Sequence, residues 1–184
     1  MIIGILKETL SGEARVAATP ETVKKMLLLK SDVLVEEGAG DLAAIPDKMF
    51  VEAGATISNR LNVLKADLIL QVRPPEAKDL ELLTSKQYLV GLLEPFNKKL
   101  TKDFLDKKIT AFALEALPRN TRAQSMDVLS SQANIAGYKA VILAADYYKK
   151  FMPMLMTAAG TVKAARVIVL GAGVAGLQAI ATAK

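Results

Sequence analysis

Two kinds of pattern alternate along the first two thirds of the chain: short apolar runs and longer segments with helical periodicity. The apolar runs, rich in the β-branched and aliphatic residues of buried strands, fall at residues 2–7, 32–36, 68–72, 88–92 and 109–113. The segments with helical periodicity lie between them, at residues 20–29, 46–53, 80–85 and 98–107. Because strands that alternate with helices are joined by crossover connections, neighbouring strands run parallel. The pattern predicts an α/β fold with helices packed on a parallel sheet.

One long helical pattern, from about Met126 to Lys150, interrupts this alternation. It contains no Pro, its apolar residues recur at roughly helical spacing, and Pro153 follows its end. A helix of this length is either a bridge between two domains or a long core helix. We interpret it as a bridge and predict an N-terminal α/β domain over residues 1–129. Residues 130–184 then form the bridging helix and the start of a second domain.

A strand, a glycine-rich turn and a helix are predicted at residues 165–184. The apolar run ARVIVL is followed by GAGVAG, which has the spacing G-x-G-x-x-G, and then by helical periodicity. The first Gly permits a tight turn, the second lets backbone approach a pyrophosphate, and the third lets helix and strand pack closely. The motif predicts dinucleotide binding through Gly171, Gly173, Val174, Ala175 and Gly176; the alternative is a turn needed only for packing. The motif alone does not separate NAD from NADP, because the acidic ribose-binding residue expected about 20 positions later would fall beyond Lys184.

The composition limits the chemistry open to this chain. It has no Cys, which excludes disulfides and thiolate sites, and no His, the usual acid or base near neutral pH. Hydride transfer between two cofactors needs neither Cys nor His, whereas most hydrolase mechanisms fit this composition poorly. We also expect no metal site. The 24 basic and 19 acidic residues give a charge of +5 without a long basic run, which disfavours nucleic-acid binding. No apolar stretch reaches the roughly 18 residues of a membrane span, which favours a cytoplasmic location.

A polar stretch, residues 118–132 (PRNTRAQSMDVLSSQ), lies between the last predicted strand of the sheet and the long helix. Ligands of an open parallel sheet bind beyond the C-terminal ends of its strands, so this stretch is well placed for a site. Its amides and hydroxyls suit a carboxamide, and its Arg and Asp side chains can pair. The other interpretation is a capping loop for the long helix, with Asp127 or Ser125 as the cap.

Three long segments resemble one family. The runs RNTRAQSMDVLSSQANIAGYKAV and MTAAGTVKAARVIVLGAGVAGLQAIATAK are similar to the NAD(H)-binding part of the alpha subunit of proton-translocating nicotinamide nucleotide transhydrogenase. The start, GILKETLSGEARVAATPETVKKM, resembles the same family, which shares its N-terminal architecture with alanine dehydrogenase. The resemblance implies a Rossmann-like N-terminal domain, followed by the opening strand, turn and helix of a second Rossmann dinucleotide-binding domain.

The resemblance also implies an activity and its partners. Hydride would pass from NADH to NADP⁺ held on a partner domain, coupled to proton translocation across a membrane. We therefore expect NAD(H) on this component, NADP(H) on the beta subunit, a membrane-spanning component and a homodimer, with this component peripheral on the cytoplasmic face of the inner membrane. The 184-residue chain alone is expected to bind NADH poorly and to transfer no hydride.

Four residues of the polar stretch match the family's nicotinamide loop: Arg119, Gln124, Asp127 and Ser130. By resemblance, Arg119 and Asp127 form an ion pair, Gln124 positions the ring or a neighbouring group, and Ser130 hydrogen-bonds the carboxamide. Their role is orientation, because hydride transfer demands a short, aligned approach of two carbons.

Two alternatives stay open. The first is an amino-acid dehydrogenase resembling alanine dehydrogenase, a branch that uses a His proton shuttle and holds its keto-acid with Arg and Lys. Arg15 and Arg73 stand at the keto-acid positions, but residues 91–94 (GLLE) offer no His. The two arginines are otherwise interpreted as structural salt-bridging residues. The second alternative is a catalytically inactive module that acts only in oligomerisation.

Overall fold

The computed structural model describes all 184 residues and divides into two compact units, Met1–Pro118 and Arg119–Lys184. The units separate ahead of residue 129, where the sequence pattern predicts a domain boundary. The domain boundary at residue 129 remains a prediction.

The first unit contains one six-stranded sheet in which all neighbouring strands pair parallel. Its strands are β1 (Ile2–Ile5), β2 (Asp32–Glu36), β3 (Thr56–Ser58), β4 (Leu68–Leu70), β5 (Tyr88–Gly91) and β6 (Thr110–Ala113). Their order across the sheet, β3-β2-β1-β4-β5-β6, is that of the Rossmann fold, with its switch point between β1 and β4. The predicted α/β class and parallel sheet are confirmed. The edge strand β3 was not predicted, because it is only three residues long and partly polar.

Five helices connect these strands: α1 (Pro20–Leu28), α2 (Asp47–Glu52), α3 (Arg60–Val63), α4 (Ala77–Leu82) and α5 (Lys98–Asp106). The helix predicted at residues 80–85 is shifted, because α4 begins at Ala77 and ends three residues before the predicted end. Leu83 has extended backbone, and the Gln87 side chain accepts the Thr84 N–H at 2.8 Å. A side chain thus takes the donor that a continuing helix would have used.

Apolar side chains cover both faces of the sheet and form two clusters. Ile5 belongs to one cluster and Leu6 to the other, as expected where successive residues point to opposite faces. Phe50 from α2 is fully buried in the first cluster, and Phe104 from α5 is buried in the second. Burial on both faces explains why the strands are almost continuously apolar.

The second unit consists of two helices and a hairpin: α6 (Val128–Tyr148), β7 (Leu155–Thr157), β8 (Gly160–Val162) and α7 (Val174–Ala183). The long helix is confirmed, and it ends where Lys149 adopts a left-handed conformation with φ of 56°. The antiparallel hairpin was not predicted. None of the helices combines the length and apolar character that a membrane crossing requires.

The strand predicted at residues 165–170 is wrong. This segment forms no ladder of hydrogen bonds with another strand, and Ile168 and Leu170 are 84% and 95% exposed. Its Ala165 N–H bonds instead to the Met152 carbonyl at 2.8 Å. A strand needs a paired neighbour as well as β-forming residues, and no strand of this chain lies beside it.

Candidate functional site

The glycine-rich turn opens its backbone to solvent at the start of α7. Gly171 has φ of +106°, a left-handed value that suits glycine, and Gly173 is the N-cap of the helix. A Cβ atom added at either position would meet nothing within 4 Å. No side chain caps the helix, so the first-turn N–H groups of Val174, Ala175 and Gly176 have no helical partner. The turn can therefore accept an anionic group by backbone donors alone.

The third glycine of the motif has a packing role. A Cβ atom on Gly176 would collide with the carbonyl oxygen of Gly171 and come 3.6 Å from Val169. The first turn of α7 therefore lies directly on the backbone of the preceding turn. The helix itself begins at Val174, three residues before the helical pattern that the sequence indicated.

Asp127 caps the N-terminus of α6. One of its carboxylate oxygens accepts the Ser130 N–H at 3.0 Å, and the other accepts the Ser130 hydroxyl at 2.7 Å. These two hydrogen bonds, and then the charge of Arg119, lower the pKa of Asp127 below its usual range. The capping interpretation of Asp127 is thus correct, and Asp127 and Ser130 are held together. Ser125 is not the cap.

The other two predicted site residues lie in the loop before α6. Gln124 begins a short 3-10 helix, Gln124–Met126, and both Arg119 and Gln124 are exposed. Arg119 acts on Asp127 through its charge, but the expected direct ion pair between them is not formed. The Asp127 carboxylate instead faces the first turn of α6, where it accepts both hydrogen bonds from Ser130.

A second charged group lies in the first unit around the buried carboxylate of Glu13, and it agrees with the interpretation of Arg15 and Arg73 as salt-bridging residues. Arg15 binds both oxygens of Glu13, at 2.7 and 2.6 Å, and the Arg73 Nε atom lies 3.3 Å from one of them. The hydrogen bond from Arg15 is the main cause that lowers the pKa of Glu13 to about 2. Both arginines that stand at the keto-acid positions thus share one internal counterion. The only sequence feature that could have indicated the Glu13–Arg15 pair is that the two residues are two positions apart.

Glu8 connects β1 to β4 at the switch point of the sheet. It follows β1, and its two carboxylate oxygens accept the N–H groups of Val72 at 2.5 Å and Arg73 at 3.1 Å, just after β4. Burial raises the pKa of Glu8, and the two backbone hydrogen bonds oppose that rise. Nothing local in the sequence indicated this contact, because the partners are 64 and 65 residues apart.

Comparison with known proteins identifies two family domains in the chain. The family model described as "Alanine dehydrogenase/PNT, N-terminal domain" matches residues 4–136, and the corresponding C-terminal domain matches residues 140–184. Among curated relatives, the NAD(P) transhydrogenase subunit alpha of Haemophilus influenzae is 45% identical over the whole chain and 36% of its own length. The first part of the NAD(P) transhydrogenase subunit alpha of Rhodospirillum rubrum is 48% identical over the whole chain and 50% of its own length. An alanine dehydrogenase of Methanococcus maripaludis is 35% identical over 97% of this chain and 49% of its own.

Solved structures give the same result. A transhydrogenase from Sinorhizobium meliloti superposes with a TM-score of 0.96 at 49% identity, covering all of this chain and 53% of that one. An L-alanine dehydrogenase superposes with a TM-score of 0.86 at 26% identity, covering all of this chain and 52% of that one. The chain spans about a third to a half of the length of the relatives that it matches. The resemblance to transhydrogenase alpha subunits is confirmed, and the chain belongs to the alanine dehydrogenase/PNT family.

Proposed function

We propose that this chain belongs to the NAD(H)-binding component of an NAD(P) transhydrogenase, which passes hydride from NADH to NADP⁺ held on a partner domain. The observation that carries the proposal is the open turn before α7, in a chain similar over its whole length to transhydrogenase alpha subunits. The proposal applies to the intact protein that carries this sequence.

The residues of the turn fit the pyrophosphate of a dinucleotide. Val174, Ala175 and Gly176 offer unpaired backbone N–H groups at the positive end of a ten-residue helix. Gly173 has open space where another residue would carry a side chain, so phosphate oxygens can come close to the backbone. When bound, the nicotinamide of NADH supplies the hydride.

The loop before α6 is proposed to orient the nicotinamide. The Ser130 hydroxyl donates to Asp127, so its oxygen remains an acceptor for the N–H groups of a carboxamide. Gln124 and Arg119 are exposed and can reach a ligand as further donors. No proton needs to move at these side chains, which agrees with a chain that has no His. Alignment is the contribution expected of them, because hydride transfer depends steeply on geometry.

The partners are proposed from the relatives and from the surface of the second unit. Relatives named subunit alpha belong to assemblies, so we expect an NADP-binding beta subunit, a membrane-spanning component and a second copy of this chain. Large apolar side chains on the second unit are exposed, among them Tyr147 at 80% and Leu170 at 95%, and such surface usually marks a contact. Proton translocation and a peripheral position on the cytoplasmic face belong to the same proposal.

An amino-acid dehydrogenase is the competing function, since an alanine dehydrogenase is among the relatives. Arg15 and Arg73 could bind a keto-acid carboxylate, but both already pair with the Glu13 carboxylate. A keto-acid would have to compete with a buried internal anion, and the chain has no His to move a proton. Both observations favour the transhydrogenase.

A chromatographic assay that resolves NADH from NADPH separates these functions, because the two reduced nucleotides have the same absorbance. The intact protein receives NADH with NADP⁺ and the NADP-binding partner, or NADH with pyruvate and ammonium. Oxidation of NADH only with the partner supports the transhydrogenase, whereas oxidation with pyruvate and ammonium would identify an amino-acid dehydrogenase. An oligomerisation module would bind no NADH and oxidise none in either mixture.

A further inference from the structure

Helices α6 and α7 touch backbone to backbone at Gly137. A Cβ atom added at Gly137 would collide with the carbonyl oxygen of Ala175, and it would also lie too close to that residue's other backbone atoms. One turn towards the N-terminus of α6, the Asn134 amide donates to the Gln178 side chain at 3.3 Å. Residue numbers rise along α6 as they fall along α7 between these two contacts. The helices therefore run antiparallel, and at Gly137 they leave no room for a side chain.

The face of α6 that carries Gly137 also carries a residue of the proposed nicotinamide loop. Ser130, Asn134, Gly137 and Val141 recur every three or four residues, so they share one stripe of the helix. Val141 is buried, and Ser130 is bonded to Asp127 at the N-terminus of α6. Ala175 lies in the first turn of α7, where the proposed phosphate donors are. A single helix-helix contact thus lies between the two halves of the proposed NAD(H) site.

We propose that Gly137 is a positioning residue for hydride transfer: it sets the distance between α6 and α7, and hence the placement of the Asp127–Ser130 pair relative to the turn at residues 171–176. This inference rests on the proposed function. A Cβ atom at residue 137 has no room without movement of backbone, because the atoms that it meets are all backbone atoms of Ala175. A displacement of about 1 Å in the relative positions of ligand-orienting groups costs on the order of 100-fold in rate.

Helix propensity gives the inference a sharp test. In a helix interior Gly is less favourable than Ala, so Gly137→Ala would stabilise α6 if only the helix mattered. Residue 140, an exposed Ala in the same helix, provides a matched control of opposite sign, since Ala140→Gly weakens the helix away from a buried contact. If helix stability alone determined activity, Gly137→Ala would be the more active of the two variants. If Gly137 positions the site, Ala140→Gly would be the more active.

The experiment measures NADH-dependent reduction of NADP⁺ by the intact protein with its partner. For Gly137→Ala we expect kcat to fall about 100-fold and KM for NADH to rise about tenfold, with a cooperative unfolding transition retained. The primary isotope effect with 4-deuterated NADH should rise, because misaligned hydride transfer becomes rate-limiting. For Ala140→Gly we expect a lower Tm and unchanged kcat.

The outcomes separate this inference from the proposed function. A wild-type protein that does not reduce NADP⁺ overturns both. An active wild type with Gly137→Ala at wild-type kcat and isotope effect overturns the inference alone. If Gly137→Ala does not fold, Asn134→Ala decides, because it loosens the same contact without adding volume. A kcat about threefold lower for Asn134→Ala supports the inference, and an unchanged kcat overturns it.

Discussion

The Arg60 guanidinium binds both carboxylate oxygens of Asp79, with Nε 3.0 Å from one oxygen and a terminal nitrogen 2.6 Å from the other. Asp79 is 2% exposed. The remaining terminal nitrogen of Arg60 reaches Glu36 at 2.7 Å and the Lys7 carbonyl at 3.0 Å. One side chain on α3 therefore connects the ends of β1 and β2 to α4.

Replacing this guanidinium should destabilise the first unit strongly. Arg60→Met leaves the buried Asp79 carboxylate and the partly buried Glu36 carboxylate without their cation, which typically costs about 3–5 kcal/mol. Lys48→Met, which removes an exposed pair with Glu52 at 3.8 Å, is the control and should cost less than about 1 kcal/mol. Urea unfolding followed by circular dichroism measures both. If both variants lost a similar amount of unfolding free energy, the burial of the Arg60–Asp79 pair would be unimportant.

Acid should weaken the fold through Glu13. Its pKa falls from 4.5 to about 2 on folding, so its contribution is fully present above pH 4.5 and is lost as the pH falls towards 2. Because solvent partly screens the half-exposed Arg15, that contribution is on the order of 1–3 kcal/mol. The difference in unfolding free energy between wild type and Glu13→Gln should shrink over this window. A difference that stays constant with pH would exclude a titrating pair.

Glu8 should give the opposite dependence. Its pKa is raised in the fold, mainly by burial, so its favourable contribution is present below pH 4.5 and is lost as the pH rises through the folded-state pKa. Relative to Glu8→Gln, the wild type should therefore become less stable from about pH 4.5 upwards. Urea midpoints of both proteins across about pH 4 to 7 measure the slope. If the wild type became more stable relative to Glu8→Gln as the pH rises over this range, the expected sign would be contradicted.

The second glycine of the turn allows binding to be tested without damage to the fold. Gly173 has φ of −77° and open space at its Cβ position, so Gly173→Ala should leave Tm unchanged. A methyl group there obstructs approach to the backbone, and NADH affinity of the intact protein should fall about tenfold or more. Calorimetric titration measures it. Gly171→Ala is a useful contrast, because its φ of +106° predicts strain as well.

Asp127→Asn should slow hydride transfer more than it weakens NADH binding. Asn is as good an N-cap as Asp, so α6 should persist while the charge beside Ser130 and Arg119 disappears. Single-turnover rates and the Kd for NADH in the intact protein provide the comparison. Thr19→Ala, which removes the cap of α1, should lower stability by about 1 kcal/mol and leave transfer unchanged. Equal losses of rate and affinity would mean that Asp127 only binds.

Features with a local cause were predictable from the sequence. The turn at residues 171–176 and the Asp127 cap depend on neighbours a few positions away, and both have the expected conformation. Features that depend on the assembled sheet were not predictable. Glu8 meets Val72 across 64 residues, and Arg73 reaches Glu13 only because the sheet brings their loops together. The error at residues 165–170 is of the same kind, since β-forming residues do not supply a partner strand.

The Glu8 bridge has a consequence for stoichiometry. The first unit has the strand order of a nucleotide-binding domain, and its switch point is where such a domain would take a phosphate. There the protein's own carboxylate already occupies two backbone donors, those of Val72 and Arg73. A second nucleotide would have to displace this covalently tethered anion. Titration of the intact protein should therefore saturate at one dinucleotide per chain, although the first unit also has the strand order of a nucleotide-binding domain.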